Sequence, residues 1–303
     1  MKASLNRRDF LATSAAASAA LAITPALGSG SVAAPRAPLP SSATDIRTLG
    51  QTGIQVGLIG MGTGSVGVEQ SSNQIRLGVK EFTRVVRHAL DRGVTLFDVA
   101  DQYGSHVFLR EALKGVPRDR YQVQTKTHAR NERIARSHIE RYRLELGIDY
   151  IDILLLHCMT EGDWPEKHTG AMEHLIQARE QGLIRAHGTS CHGMDPLRTA
   201  AKHPFVQVDL ARINPQGLIM DDKSPDEVAS ELQEMHDGGK GVIGMKILGE
   251  GRITTPEGKD ETLRFVLGLG TVDAFIIGFE SIDQVDDILK RTDDAIAFHK
   301  ARG

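Results

Sequence analysis

Cysteine is nearly absent from this chain, with 2 in 303 residues. Two cysteines cannot build a disulfide framework or a four-cysteine metal site. An excess of one charge is also lacking: 36 basic side chains face 39 acidic ones, for a formal net charge of −3. Nucleic-acid binding needs a basic stripe to neutralise phosphates, and none is present. The histidines do not have metal-site spacing, since His168 and His174 lie further apart than helical ligands and His187, His192 and His203 are scattered. Gly60-Met61-Gly62-Thr63-Gly64 has the wrong spacing for a Gly-x-Gly-x-x-Gly fingerprint and opens no helix, which argues against an open dinucleotide-binding sheet. The apolar run from Phe10 to Leu27 is too short and too rich in alanine to span a membrane. There is no internal repeat, and low complexity is confined to the N-terminal region.

That N-terminal region has its own composition. Lys2, Arg7 and Arg8 precede the apolar run, and small residues and prolines follow it to about Pro40. Asn6-Arg7-Arg8-Asp9-Phe10-Leu11 resembles the twin-arginine export signal, in which an arginine pair is followed one residue later by Phe-Leu. The resemblance implies export to the periplasm by the twin-arginine machinery, with cleavage after Gly28 or Ala33. We read 1–33 as signal, 34–45 as linker and 46–303 as one domain.

Within that domain, short β-branched runs alternate with helical patterns. Val56–Gly62, Thr95–Ala100, Tyr121–Thr127, Ile151–His157, Ile184–Cys191, Val206–Asn214, Gly241–Leu248 and Val272–Phe279 read as strands. Between them apolar residues recur at three- and four-residue spacing, as in Phe82, Val85, Val86, Ala89 and Leu90. Ser224-Pro225-Asp226-Glu227 has the cap, first-turn proline and early acids of a helix start. Strand-then-helix units with short connections predict a parallel sheet closed on itself, a single-domain (β/α)8 TIM barrel.

Reactive groups of such a barrel collect at the carboxyl ends of its strands. Asp98 lies near the end of the second expected strand, Tyr103 in the loop after it, Lys126 near the end of the third and His157 at the end of the fourth. Together they have a rationale as a carbonyl-reduction site. A phenol ionises near pH 10 in isolation, and a neighbouring ammonium such as Lys126 would lower that value. Asp98 would hold the lysine charged and oriented, while His157 would donate to the carbonyl oxygen. His157 facing inward would turn Cys158 toward the helices.

These residues, in this order, resemble the aldo-keto reductase family, and the resemblance runs from about Ile46 to Thr292. Leu49-Gly50-Gln51-Thr52-Gly53-Ile54-Gln55-Val56 looks like the hairpin that closes the barrel bottom in that family. Phe97-Asp98-Val99-Ala100-Asp101-Gln102-Tyr103-Gly104 looks like its signature loop. The resemblance implies a reductase of small-molecule aldehydes or ketones, sugar-derived ones among them, with Tyr103 as general acid and NAD or NADP as hydride source. It also implies cofactor contacts from Gly62, Thr63, Ser190, Cys191, Met245, Lys246, Leu248, Gly278, Glu280, Ser281 and Gln284, while Trp164, in the stretch after His157, is read from its position as a substrate wall. Glu280 and the absence of Lys or Arg from Gly278 to Leu289 tilt the choice toward NAD. Where the family usually has Ser-Glu after the loop and a Ser-Asn pair on the nicotinamide, this chain has Ser105-His106 and Ser190-Cys191. Two other functions remain open: a Schiff-base aldolase using Lys126 or Lys246, and a barrel that binds cofactor as a sensor without catalysis.

Overall fold

The computed structural model describes residues 38–220 and 224–302. The expected export signal and both of its cleavage points lie outside the described residues. The described part of the expected linker belongs to the folded body. Ala43 is buried, its N–H donates to Asp293 Oδ1 at 2.7 Å, and Leu39 packs against the core.

An antiparallel hairpin comes first, β1 (Ile46–Thr48) with β2 (Gln55–Gly57). Then follow β3 (Ile59–Gly62), α1 (Asn73–Arg76), α2 (Gly78–Asp91), β4 (Leu96–Asp98), α3 (His106–Ala112), β5 (Gln122–Thr127), α4 (Glu132–Leu146), β6 (Ile151–Met159) and α5 (Trp164–Glu180). The second half holds β7 (Ile184–Cys191), α6 (Met194–Lys202), β8 (Val208–Arg212), α7 (Pro225–Asp237), β9 (Gly241–Met245), α8 (Pro256–Leu269), β10 (Ala274–Ile277) and α9 (Ile282–Lys300). Strands β3 to β10 are parallel and pair in chain order, with β10 closing onto β3. The expected (β/α)8 barrel is therefore the fold.

Two cores follow from the alternation of side chains along each strand. Ile153, Leu155, Ala186, Val208, Leu210, Ile243 and Ala274 point inward and fill the barrel. Leu154, Leu156, Phe275 and Val242 point outward to meet the helices, whose apolar stripes (Phe82, Val85, Val86 and Ala89 on α2) cover them. Each such fully buried aliphatic side chain is worth about 1.5–3 kcal/mol. The hairpin plugs the floor with Leu49, Ile54 and Val56. Asp273 fastens it there, accepting from Gly50 N at 3.2 Å and from Val242 N at 3.0 Å.

Of the expected strands only Ile184–Cys191 keeps both its limits; the others shift at one or both ends, and two of them depart for a clear local reason. The first divides at Leu58, whose N–H donates to Asp45 O, because the residues before it pair antiparallel with β1 and those after it pair parallel with β10 and β4. The seventh stops at Met245, since Lys246 adopts φ 57°, a left-handed conformation that ends an extended run. At α7 the expected cap forms, with Ser224 Oγ accepting from Glu227 N at 3.3 Å.

Candidate active site

Asp98 is the last residue of β4, and register sets it opposite Gln124 of β5, with Lys126 one inward step further along. Lys126 Nζ donates to Asp98 Oδ1 at 2.5 Å and to Val99 O at 3.1 Å, while Gln124 Nε2 donates to the same carboxylate oxygen at 2.7 Å. Both charged side chains are almost wholly buried, at 1 % and 4 % exposure. A pair this dry needs hydrogen bonds beyond its mutual contact, and here the Val99 carbonyl and the Gln124 amide supply two of them.

Tyr103 lies on a short 3₁₀ turn after β4, with Gly104 at φ 69° ending the turn. Arg141 of α4 grips that turn through a two-pronged contact with Asp101 at 2.7 and 2.8 Å. The glycines after β3 form the phenol's seat. A Cβ on Gly64 would lie 2.3 Å from the ring and one on Gly67 2.5 Å from it. The glycine-rich stretch that fails as a phosphate loop thus has a steric role. Lys126 Nζ sits 4.8 Å from the ring centroid, and Tyr103 Oη lies 3.4 Å from His157 Nε2. His106, where the family's glutamate is usual, bonds Thr125 Oγ1 and Glu145 and supports α3 and α4.

The electrostatics differ from the expectation that Lys126 lowers the phenol's pKa. Burial, and after it the charge of Asp98, hold Tyr103 well above the usual phenol value, because the lysine's charge is matched by its own carboxylate. Burial likewise pushes Lys126 down, against the pull of Asp98. His157 is held well below the usual imidazole range by burial and then by Lys126, His128 and His192, so it is neutral near pH 7. Its Nδ1 is buried without a partner among the described residues. Placing the ring proton on Nε2 leaves only a lone pair unmatched there, and aims an N–H toward the Tyr103 hydroxyl. The site therefore presents two neutral donors, the phenol and the imidazole, to one point.

Beside that point runs a cleft of about 380 Å³, bordered by the ends of β3, β8, β9 and β10. Gly62, Met245, Lys246, Leu248, Gly278, Glu280 and Gln284 line it, as do Asp98 and Tyr103. Ser190, inward by alternation from Ala186, is buried with its Oγ unpartnered. Ser190 does not itself border the cleft, and three further expected cofactor contacts lie elsewhere. Thr63 is fully buried, with its hydroxyl donating to Asp98 O and paired with Ser105 Oγ. Cys191 faces outward into the helix-side core, one residue and hence one face away from Ser190. Ser281 does not border the cleft and caps α9, accepting from Gln284 N at 3.2 Å. Sequence reading missed His192, which counting by two from Ser190 would have found, as well as Asn73, Glu250, Lys259 and Asp287. Cys158 is a further correction. The register shift between Leu156 and Met159, with Cys158 at φ 62°, sets its sulfur 3.2 Å from His192 Nδ1, and no disulfide joins it to Cys191. Trp164 is buried and borders a second, smaller pocket beyond His157. No cluster of metal-ligating side chains occurs among the described residues.

A nicotinamide dinucleotide fits these residues. Ser190 carries a buried, unpaired hydroxyl on the inward face of β7, and Gly278 lets β10 approach the loop after β3 so closely that a Cβ would meet Ser65 Oγ at 2.1 Å. Leu210, Met245 and Ile276 supply apolar walls.

Fold and site together define a class: a parallel α/β barrel whose mouth joins an acid–ammonium pair, a phenol and an imidazole beside one long cleft. The chain belongs to the aldo/keto reductase family, whose model matches residues 58–266. It is 28 % identical over 178 residues to probable aldo-keto reductase 1 of Glycine max, covering 54 % of this chain and 49 % of that one. It is 31 % identical over 175 residues to aldo-keto reductase YhdN of Bacillus subtilis, covering 50 % and 48 %. The match to L-galactose dehydrogenase of Arabidopsis thaliana is 28 % over 152 residues, 46 % of each chain. The chain thus spans about half the length of these relatives. Among solved structures, a putative aldo-keto reductase from Pseudomonas aeruginosa superposes with a TM-score of 0.69 at 20 % identity, over 85 % of this chain and 98 % of that one. The holo form of an aldo-keto reductase from Bacillus halodurans gives 0.66 at 20 % identity, over 84 % and 96 %. At that identity the likeness speaks for the fold.

Two outcomes follow from the buried pair and the half-buried phenol. Lys126→Met leaves the Asp98 carboxylate dry and unmatched, and should lower unfolding free energy by about 3–5 kcal/mol; adding Asp98→Asn should restore most of it. Denaturant titration of the three proteins decides, and an undisturbed single variant would contradict the dry pair. The difference in phenolate absorbance between the native protein and Tyr103→Phe should not develop until the pH has passed about 10, the ordinary phenol value. A midpoint at or below that value would show that Lys126 dominates.

Proposed function

We propose that the protein reduces aldehyde or ketone groups of small molecules, sugar-derived carbonyls among them, with hydride from a nicotinamide cofactor. The observation that carries this reading is the 3.4 Å approach of Tyr103 Oη to His157 Nε2, at the inner end of the cleft. A carbonyl oxygen placed there accepts from both groups. Tyr103 delivers the proton that completes the alcohol, and His157 stabilises charge growing on oxygen without itself becoming charged. Lys126 and Asp98 keep the phenol in place from below. A reduced nicotinamide in the cleft would supply the hydride. Family membership supports the reading, as does the likeness to a relative named for a sugar dehydrogenase.

The aldolase alternative is weaker on geometry. Lys126 does not border the cleft and is bonded to Asp98, and Lys246 Nζ donates to Glu250 Oε1 at 2.5 Å, so neither strand-end lysine is placed as a nucleophile. A sensor without catalysis has no use for a neutral proton donor beside the cleft.

NAD is the better fit of the two cofactors. The cleft lining carries Asp98, Glu250, Glu280 and Asp287 against Lys246 and Lys259, and each lysine is already paired with one of those acids. A 2′-phosphate finds no uncommitted cation among the described lining residues.

The arginine pair supports export in the folded state by the twin-arginine route. Outside the cytoplasm there is no expected pool of soluble nicotinamide, so the enzyme would keep one dinucleotide and pass hydride between an alcohol and a carbonyl at the same Tyr103 site.

Tyr103→Phe should reduce turnover about a hundredfold or more while leaving dinucleotide binding intact. Undiminished turnover would refute the proton-donor role. Arg7→Lys with Arg8→Lys should strand the protein in the cytoplasm, and cell fractionation that still finds it in the periplasm would overturn the export reading. The purified exported protein should release stoichiometric dinucleotide only on denaturation, read by native mass and absorbance. Cofactor-free protein that turns over normally with exchanging NADH would defeat the retention proposal.

A further inference from the structure

The Tyr103–His157 contact stands between two cavities. Tyr103 borders the long cleft, while His157 borders a second pocket of about 170 Å³ between the end of β6, the loop after β5 and the start of α5. If the carbonyl lies at the contact and the long cleft takes the cofactor, the remainder of the substrate enters the second pocket.

That pocket is polar and basic. Arg130 is exposed at its edge, and its guanidinium makes no hydrogen bond or ion pair among the described residues. Lys167 also borders it, but its charge is taken up by Glu161 and by Asp163, the latter at 2.8 Å. Glu161 is the single acidic residue of the lining and is the one Lys167 holds. His168 fixes Nδ1–H to Ala129 O at 2.8 Å, which leaves its other ring nitrogen for a guest. His128 stacks on His157 at 4.5 Å and shares a hydrogen bond with Gln102. The arrangement leaves one uncommitted cation on the same pocket as His157 of the reactive contact, in a space of about 170 Å³. Guanidinium groups favour planar oxyanions, which they meet with two parallel hydrogen bonds.

We propose that this pocket is an oxyanion subsite in which Arg130 grips a carboxylate or phosphate borne by the substrate a few atoms from its carbonyl, as in a semialdehyde acid or a sugar acid. The assignment of the carbonyl to Tyr103 rests on the function proposed above, but the subsite itself does not, since it can be occupied without turnover.

The chain's one tryptophan, Trp164, borders the pocket and makes it directly observable. Succinate and inorganic phosphate, titrated separately into the full protein, should change Trp164 fluorescence saturably, while neutral succinamide should not. The anion that binds more tightly identifies which oxyanion the pocket takes. Arg130→Gln should weaken that binding about tenfold or more, the scale of a lost charge-assisted pair, and Arg130→Lys should restore part of it. No saturable response, or affinity unchanged in Arg130→Gln, would overturn the subsite. Turnover then gives the second reading. Succinic semialdehyde should be reduced with a higher kcat/KM than butanal, and glyceraldehyde 3-phosphate than glyceraldehyde if phosphate is the preferred anion. Arg130→Gln should erase that preference chiefly through KM, with the neutral substrates unaffected. Equal loss on charged and neutral substrates would refute the assignment of Arg130 to substrate. Anion binding without reduction of any carbonyl would leave the subsite standing and remove the reductase reading instead.

Discussion

The 2.5 Å contact between Lys126 and Asp98 is the constraint on which the rest of the site depends. Two charges with so little water around them need further hydrogen bonds beside their mutual contact, and these come from the barrel wall itself, through Val99 O and the Gln124 amide N–H. The register of β4 against β5 therefore sets the position of the pair, and the pair sets the floor on which the Tyr103 ring rests. The phenol is confined from the other side by Gly64 and Gly67, where no side chain would fit, and its turn is tied to α4 through Asp101 and Arg141. Little freedom remains for the hydroxyl, which is what proton transfer at a fixed point requires.

The loops around the cleft depart from the conformations their residues prefer. Val66, Lys246 and Glu250 all have positive φ, a region that disfavours side chains by roughly 1–2 kcal/mol per residue. Their gain is mutual: Glu250 Oε1 accepts from Lys246 Nζ and from Val66 N at 3.1 Å, joining the loop after β9 to the loop after β3. Strain of this kind persists where surrounding contacts over-determine the backbone. Here it draws together two of the loops that border the cleft.

How much of this was legible in the sequence depended on which physical rule governed each residue. Asp98, Lys126 and His157 could be placed because strand alternation and the carboxyl-end location of barrel chemistry act over several residues and leave little choice. Cys191 was taken from its place in the family's Ser-Asn pair, whereas alternation from Ser190 turns it to the other face and brings His192 inward instead. Cys158 escaped the rule because the strand shifts register there and its backbone turns left-handed, which no local pattern announced. Thr63 and Ser281 were chemically plausible contacts that the backbone claimed first, one for a strand carbonyl and one for a helix start. The ties between distant loops, Glu250 to Val66 and Glu280 to Asn73, arise only from tertiary placement and have no sequence signal.

The electrostatic outcome changes how the tetrad is understood. A lysine beside a phenol suggests a proton donor made more acidic, yet the buried carboxylate cancels that lysine and burial dominates, so both the phenol and the imidazole are neutral near pH 7. Neutrality suits the proposed reduction. A charged donor in so dry a place would need a counter-charge in the resting state, which would already be satisfied and would gain less when the reaction began. Two neutral donors aimed at one point meet little charge before reaction and a full alkoxide charge as it proceeds, and the low dielectric that makes their own ionisation costly also strengthens their grip on that developing charge. The same burial raises the pH at which Tyr103 can act as the base in alcohol oxidation, the other half of the proposed hydride exchange. The buried ion pair thus acts less by tuning acidity than by holding a neutral donor still in a place where charge appears only when chemistry creates it.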